Sequence, residues 1–349
     1  MQKIALHICW GIFLILGISG KALCASITNF SYRVEVEHGL KEKFERSFSE
    51  KFFAAFPSRL EKIFSEEEIG NLHVEVIVTN EFQRDMIAQN KNGKSFLFIS
   101  PVILFSSDLE RILLHELFHL LHFKMKNEEG WVEEGLANFI PYLLLGKINH
   151  AEINTALSQS TVSLLDNFDL SLNQFELYGV TTLFFKYAFD HCGKEEFLKQ
   201  VVHENESGER GISLVLQKIN QSKKICRDFK SLASSFTLAR VINERTFSVE
   251  EEFFILDSPS KLEINSFLAQ HMKAFSAKDK KSFFEQFPRY LPLVLPLEMK
   301  DWLIKEKNKD QSLKIFAVSR SYPAKAWELI PGNSTAKDIS AQFLVIFRE

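Results

Sequence analysis

Between Ser107 and Lys124 the chain reads SDLERILLHELFHLLHFK, and this run constrains the fold more than any other. Its apolar residues recur all round a helical wheel, with His115, Glu116, His119 and His122 set among them. A helix apolar on nearly every face is normally buried in a core. Ser107 followed by Glu110 three positions on predicts a capping box that starts the helix there. Burying a carboxyl group and several imidazoles in such a helix is costly unless something pairs with them.

The spacing points to a metal ion as that partner. His115 and His119 are four apart and project from one face, a turn from each other. Glu116 lies beside His115 and is placed to reach a metal-bound water without being a ligand. HELFH is thus an instance of the His-Glu-x-x-His pattern, in which neutral imidazoles hold zinc and the carboxylate takes a proton from water. His122 is seven residues from His115, roughly 10 Å along the axis, and so is expected to pack rather than to bind the same ion.

One straight helix cannot enclose a four-coordinate ion, so a third protein ligand has to come from another element. After a polar turn, Lys126 to Gly130, the chain reads Trp131-Val132-Glu133-Glu134-Gly135-Leu136-Ala137. HExxH followed by W-x-x-E-G-L-A resembles the gluzincin metallopeptidases, in particular their short peptidase MA-like branch. The resemblance covers roughly residues 70 to 205. It implies an α+β, zincin-like catalytic domain with a mixed sheet and an active-site helix, binding one zinc ion. It also implies that the Glu directly before the Gly, here Glu134 and not Glu133, completes the ligand set with His115 and His119. Asn138, one turn past Glu134, matches a place where the family carries a polar group bonded to a ligating His. Tyr178, which in the resemblance opens a helix, is the candidate for a hydroxyl that stabilises an oxyanion; Tyr187 falls on the wrong turn.

The first 24 residues read as a secretory signal peptide: Lys3, an apolar run from Ile4 to about Ile18, then small residues near Ala22 to Ser26. An uncleaved membrane anchor is the alternative, although the run is short for a span. Export, to a periplasm or the outside, would leave only Cys192 and Cys226, an even count that predicts one disulfide. The net charge is -3 with no basic stripe, which gives no indication of nucleic acid. Removal of the leader from the 349 residues, 46% of them hydrophobic, would leave about 320, enough for two domains. The expected division is a peptidase domain at 25–235 and a smaller C-terminal α/β accessory region at 236–349.

Along the chain, residues 30–37 alternate as a strand, and phenylalanines from Phe44 to Phe56 form a helical stripe. His73 to Thr79 and Ser95 to Ile99 read as strands, with a helical turn at 82–88 and a loop at 89–94 between them. In the resemblance, the strand before the metal helix is the edge along which an extended peptide lies. Pro141 is expected to kink or end the second helix. Gly193 is placed as a helix C-cap, followed by a helix from Lys194 to His203. A helical stretch at 264–287 and β runs at Leu313 to Val318 and Gln342 to Phe347 close the chain. The expected function is a zinc-dependent peptidase acting on peptide or protein substrates, with no stable membrane span after leader cleavage. The alternatives are an exported scaffold that keeps the fold without turnover, and the same chemistry on a non-protein amide. Retention of the base Glu116 beside the ligands favours the enzyme.

Overall fold

The computed structural model describes residues 6–7, 31–36, 60–79, 86–158, 163–165, 174–219, 224–242, 289, 293–295, 300–319, 325–328 and 343–349. Most of the first 24 residues, the stretch from Phe44 to Phe56 and the stretch 264–287 lie outside the described residues. The architecture is α+β. It divides into two compact units, Met1–Glu128 with Leu136–Ile148 and Leu198–Asn205, and Glu129–Gly135 with Asn149–Phe197 and Glu206–Glu349.

The first unit is built on a mixed sheet. Its strands are β1 (Leu6–His7), β2 (Ser31–Val36), β3 (His73–Val78), β4 (Met86–Lys91) and β5 (Lys94–Ile99), in the order β1-β2-β3-β5-β4. β2, β3 and β5 run parallel, while β1 and β4 are antiparallel additions at the two sides. Alternation dictates which face is inward: Val74, Val76 and Val78 on β3 and Ser95, Leu97 and Ile99 on β5 are all buried. Each such aliphatic side chain stabilises the fold by about 1.5–3 kcal/mol.

Two expectations here are corrected. Residues 89–91 belong to β4 rather than to a loop, and β4 begins at Met86, inside the expected helical turn. Asn92 and Gly93 have φ of 53° and 76°, so Asn-Gly makes the two-residue hairpin turn between β4 and β5. This leaves β5 interior, between β3 and β4, and makes β4 the outer strand.

The short helix α1 (Glu66–Gly70) starts at a capping box in which Ser65 and Glu68 bond reciprocally. Glu68 also meets His203 Nε2 at 3.2 Å. Partial burial would raise the Glu68 carboxyl, but the Ser65 and His203 contacts outweigh it and hold the group below its ordinary value. Helix α2 (Leu109–Met125) packs on β4 and β5, burying Leu109, Leu113, Leu117, Leu120 and Leu121. The expected capping box at Ser107 does not form. The N-cap is Asp108, without a side-chain cap bond, and Glu110 instead pairs with Lys147 at 2.7 Å. A charged partner competes well for a carboxylate against an exposed amide.

Helix α3 (Gly130–Leu145) contributes residues to both units. It continues through Pro141 instead of ending there, although proline removes one intrahelical bond. The unbroken buried run from Leu136 to Pro141 holds the helix together past that loss.

In the second unit, α4 (His150–Ser158) precedes α5 (Gln174–His191), which is buried along most of its length. Gly179 lets these two helices touch: a Cβ there would lie 2.2 Å from the Glu152 carbonyl oxygen. Gly193, with φ 112°, ends the turn after α5 as expected, and α6 (Glu195–His203) follows, its residues from Leu198 on belonging to the first unit. Next come α7 (Gly208–Ile219) and α8 (Phe229–Ile242). Cys192 and Cys226 form the expected disulfide, with Cα atoms 5.5 Å apart across a separation of 34 residues. Closing a loop of that length stabilises the fold by about 3–4 kcal/mol in the chain-entropy account.

The C-terminal part adds α9 (Lys300–Lys309) and four antiparallel strands: β6 (Leu293–Leu295), β7 (Leu313–Ser319), β8 (Lys325–Glu328) and β9 (Phe343–Arg348). They are ordered β6-β9-β7-β8, so the two β runs read from the sequence are central neighbours. Glu349 anchors this sheet to α8 through Ser234 Oγ at 2.6 Å and Lys230 at 2.9 Å.

Candidate metal centre

The helical period places His115 and His119 one above the other on α2, and the structure brings their Nε2 atoms to 3.1 Å. The rings meet edge to face, with centroids 4.7 Å apart. A carboxylate oxygen of Glu134, from α3, completes a group whose three ligand atoms all lie within 4.8 Å of one another. Among the described residues this is the group of His, Cys, Asp or Glu that can hold a metal ion. Two imidazoles and one carboxylate are a donor set that suits zinc. Bonds of about 2.0–2.1 Å in a tetrahedral arrangement put neighbouring ligand atoms about 3.3 Å apart, close to the observed spacing of the imidazoles.

The chain also fixes the tautomer. Asn138 Oδ1 accepts a hydrogen bond from His115 Nδ1 at 3.1 Å. With the proton held on Nδ1, the Nε2 lone pair faces the shared point, the protonation a metal ligand requires. Asn138 lies one turn beyond Glu134 on α3, as its spacing implied, and is 7% exposed. Gly135 explains the small residue after Glu134: a Cβ there would sit 2.7 Å from the Phe185 ring. Trp131 packs beside it, with ring centroids 5.7 Å from Phe184 and 5.6 Å from Phe229. The W-x-x-E-G segment is therefore a packing device as well as the carrier of Glu134.

Glu116, the neighbour of His115, is outside the ligand group. Its Oε2 accepts a hydrogen bond from the Ala88 main-chain amide of β4 at 2.8 Å. Glu133, 5% exposed, is likewise outside the group, and so is His122. His122 is fully buried, its ring tilted against that of Phe118 with centroids 5.0 Å apart. Tyr178 lies in the second turn of α5, which starts at Gln174 and not at the tyrosine as expected. It is half-buried, and its carbonyl accepts the Thr182 hydroxyl at 2.7 Å. Tyr187 is 4% exposed, and burial pushes its phenol well above the ordinary range.

Two features of the site have no counterpart in the sequence reading. One is the contact of Glu116 with Ala88 and, two residues on, of Asn90 Nδ2 with the Leu120 carbonyl at 3.4 Å. The other is Phe123, 43% exposed, whose ring lies nearly parallel to His119 with centroids 5.2 Å apart. The i, i+4 spacing of His119 and Phe123 on α2 was the available signal for the second. No protein-family model matches the chain, and comparison with curated proteins finds no match.

Proposed function

We propose that this protein is an exported zinc metallopeptidase of the gluzincin type, with a zincin-like catalytic fold. The observation that carries the reading is the convergence of His115 and His119 Nε2 with a Glu134 oxygen, the His115 tautomer being fixed by Asn138. Glu116 supports it further, because a purely structural metal site has no need of a fourth ionisable group held beside the ligands. Bound there, zinc would supply a Lewis acid for the amide carbonyl and lower the pKa of a water.

The residues of the chain do the rest. Glu116 takes a proton from the water whose oxygen adds to the amide carbon, then hands it to the departing nitrogen as the C–N bond breaks. The products are a carboxylate and an amine. Asn138 keeps His115 in the ligating tautomer throughout. Tyr178 is assigned the hydroxyl that donates to the negative charge developing on the former carbonyl oxygen. The disulfide suits an oxidising compartment, in keeping with export to a periplasm or the outside. No helix among the described residues is long and apolar enough to cross a membrane.

The reading is tested by offering the purified protein a broad peptide library. Cleavage is expected with zinc present, should stop with a chelator, and should return on adding zinc back. Cleavage that persists in the chelator, at full rate and with no metal left on the protein, would reject the zinc mechanism.

A further inference from the structure

The inference builds on the peptidase reading and concerns what aims its base. β4 pairs with β5 along one edge, from Met86↔Ile99 to Lys91↔Lys94, and is the outer strand among the described residues. In an antiparallel pair, alternate residues turn N–H and C=O toward the partner strand and the others turn them to the open edge. Ala88 belongs to the second set, and its N–H donates to Glu116 Oε2 at 2.8 Å.

The contact is not isolated. Asn90 reaches the Leu120 carbonyl, and its Oδ1 is fixed by the hydroxyl of fully buried Ser95 at 2.7 Å. Two residues of strand advance roughly 6.7 Å and four of helix about 6 Å. The links Ala88 to Glu116 and Asn90 to Leu120 therefore pin strand and helix at matched points.

We propose that the Ala88 main-chain amide is a positioning group for the catalytic base: it holds one Glu116 oxygen so that the other is presented to the proton it must take. A glutamate side chain has three rotatable torsions, and a charge-assisted N–H···O bond favours one orientation of its carboxylate. Displacing a reacting group by about 1 Å costs on the order of 10²-fold in rate. Because the donor is main chain, the side chain at position 88 is irrelevant to this role and only the N–H matters. Proline removes that N–H, and on the open edge of an outer strand it breaks no ladder bond.

Two readouts test the proposal in the full-length, zinc-loaded chain. The first is amide hydrogen exchange at Ala88, which needs no turnover. The amide is expected to be protected in wild type and to exchange at least about tenfold faster in Glu116→Ala. The second is steady-state kinetics. Ala88→Pro should lower kcat by roughly 10–100-fold with KM and zinc content unchanged. Ala88→Gly, which keeps the amide, should lose much less kcat than the proline variant. If the proline variant does not fold, an amide-to-ester replacement at residue 88 removes the same donor and is read instead. Exchange at Ala88 that ignores Glu116→Ala overturns the proposal, and so does a zinc-replete Ala88→Pro or ester variant with wild-type kcat. Failure of the peptidase reading is distinct: wild type would cleave nothing while the Ala88 protection stayed dependent on Glu116, and the positioning role would fall with it.

Discussion

Glu116→Gln is expected to keep its zinc and its melting temperature while losing peptide cleavage by roughly 10²–10⁴-fold, the usual contribution of a general base. That range corresponds to about 3–5 kcal/mol of barrier. The substitution preserves shape, and a glutamine oxygen can still accept the Ala88 N–H that Glu116 now accepts at 2.8 Å. The amide cannot take a proton from water, so chemistry fails where the fold does not. Because Glu116 lies outside the ligand group, the metal should remain. Replacing a half-buried carboxylate by a neutral group should leave stability unchanged or slightly raised. A scaffold would show no difference between the two proteins. Equal cleavage by wild type and Glu116→Gln would show that the activity comes from elsewhere.

The second large effect concerns stability. Arg240 on α8 pairs with Glu176 on α5 at 2.8 Å, and the two side chains are only 3% and 1% exposed. Arg240 Nε also donates to the Ala156 carbonyl at 3.3 Å, so one guanidinium ties three helices of the second unit. Arg240→Met should destabilise the protein by about 3–5 kcal/mol, because it removes the guanidinium that offsets a buried carboxylate. At about 2–4 °C per kcal/mol the melting temperature should fall by roughly 6–20 °C. The paired change Glu176→Leu with Arg240→Met should recover much of the loss, since desolvation of both charges is then avoided. Thermal melts of wild type and the two variants settle this. A single variant that melts with wild type would mean that water reaches the pair and screens it.

The candidate metal-binding group was legible because its chemistry is local. His115 and His119 sit at a fixed helical spacing, and the resemblance carried by the segment Trp131 to Ala137 implied Glu134 as the third member. The buried strands β3 and β5 showed themselves by alternation, and the disulfide by cysteine count. β4 was misread because only its first residue is fully buried, leaving little alternation to find. The hairpin was nonetheless announced by Asn92-Gly93, a stronger signal than the weak helical pattern before it. The contact of Ala88 with Glu116 spans 28 residues and uses a main-chain amide, so no residue type at position 88 could reveal it. Continuation of α3 through Pro141 was hidden for a different reason: burial of the flanking residues outweighed a local propensity.

The account stands or falls on the ligand set, and metal content per chain measures it most directly. Purified wild type should carry one zinc per chain. Glu134→Ala should weaken zinc by more than the roughly 10–100-fold typical of an outer partner and lose it on dialysis. Glu133→Ala, which removes a carboxylate outside the group, should keep its zinc through the same dialysis. A folded wild type that stays empty when zinc is offered, or loss of metal from Glu133→Ala and not from Glu134→Ala, would contradict the site.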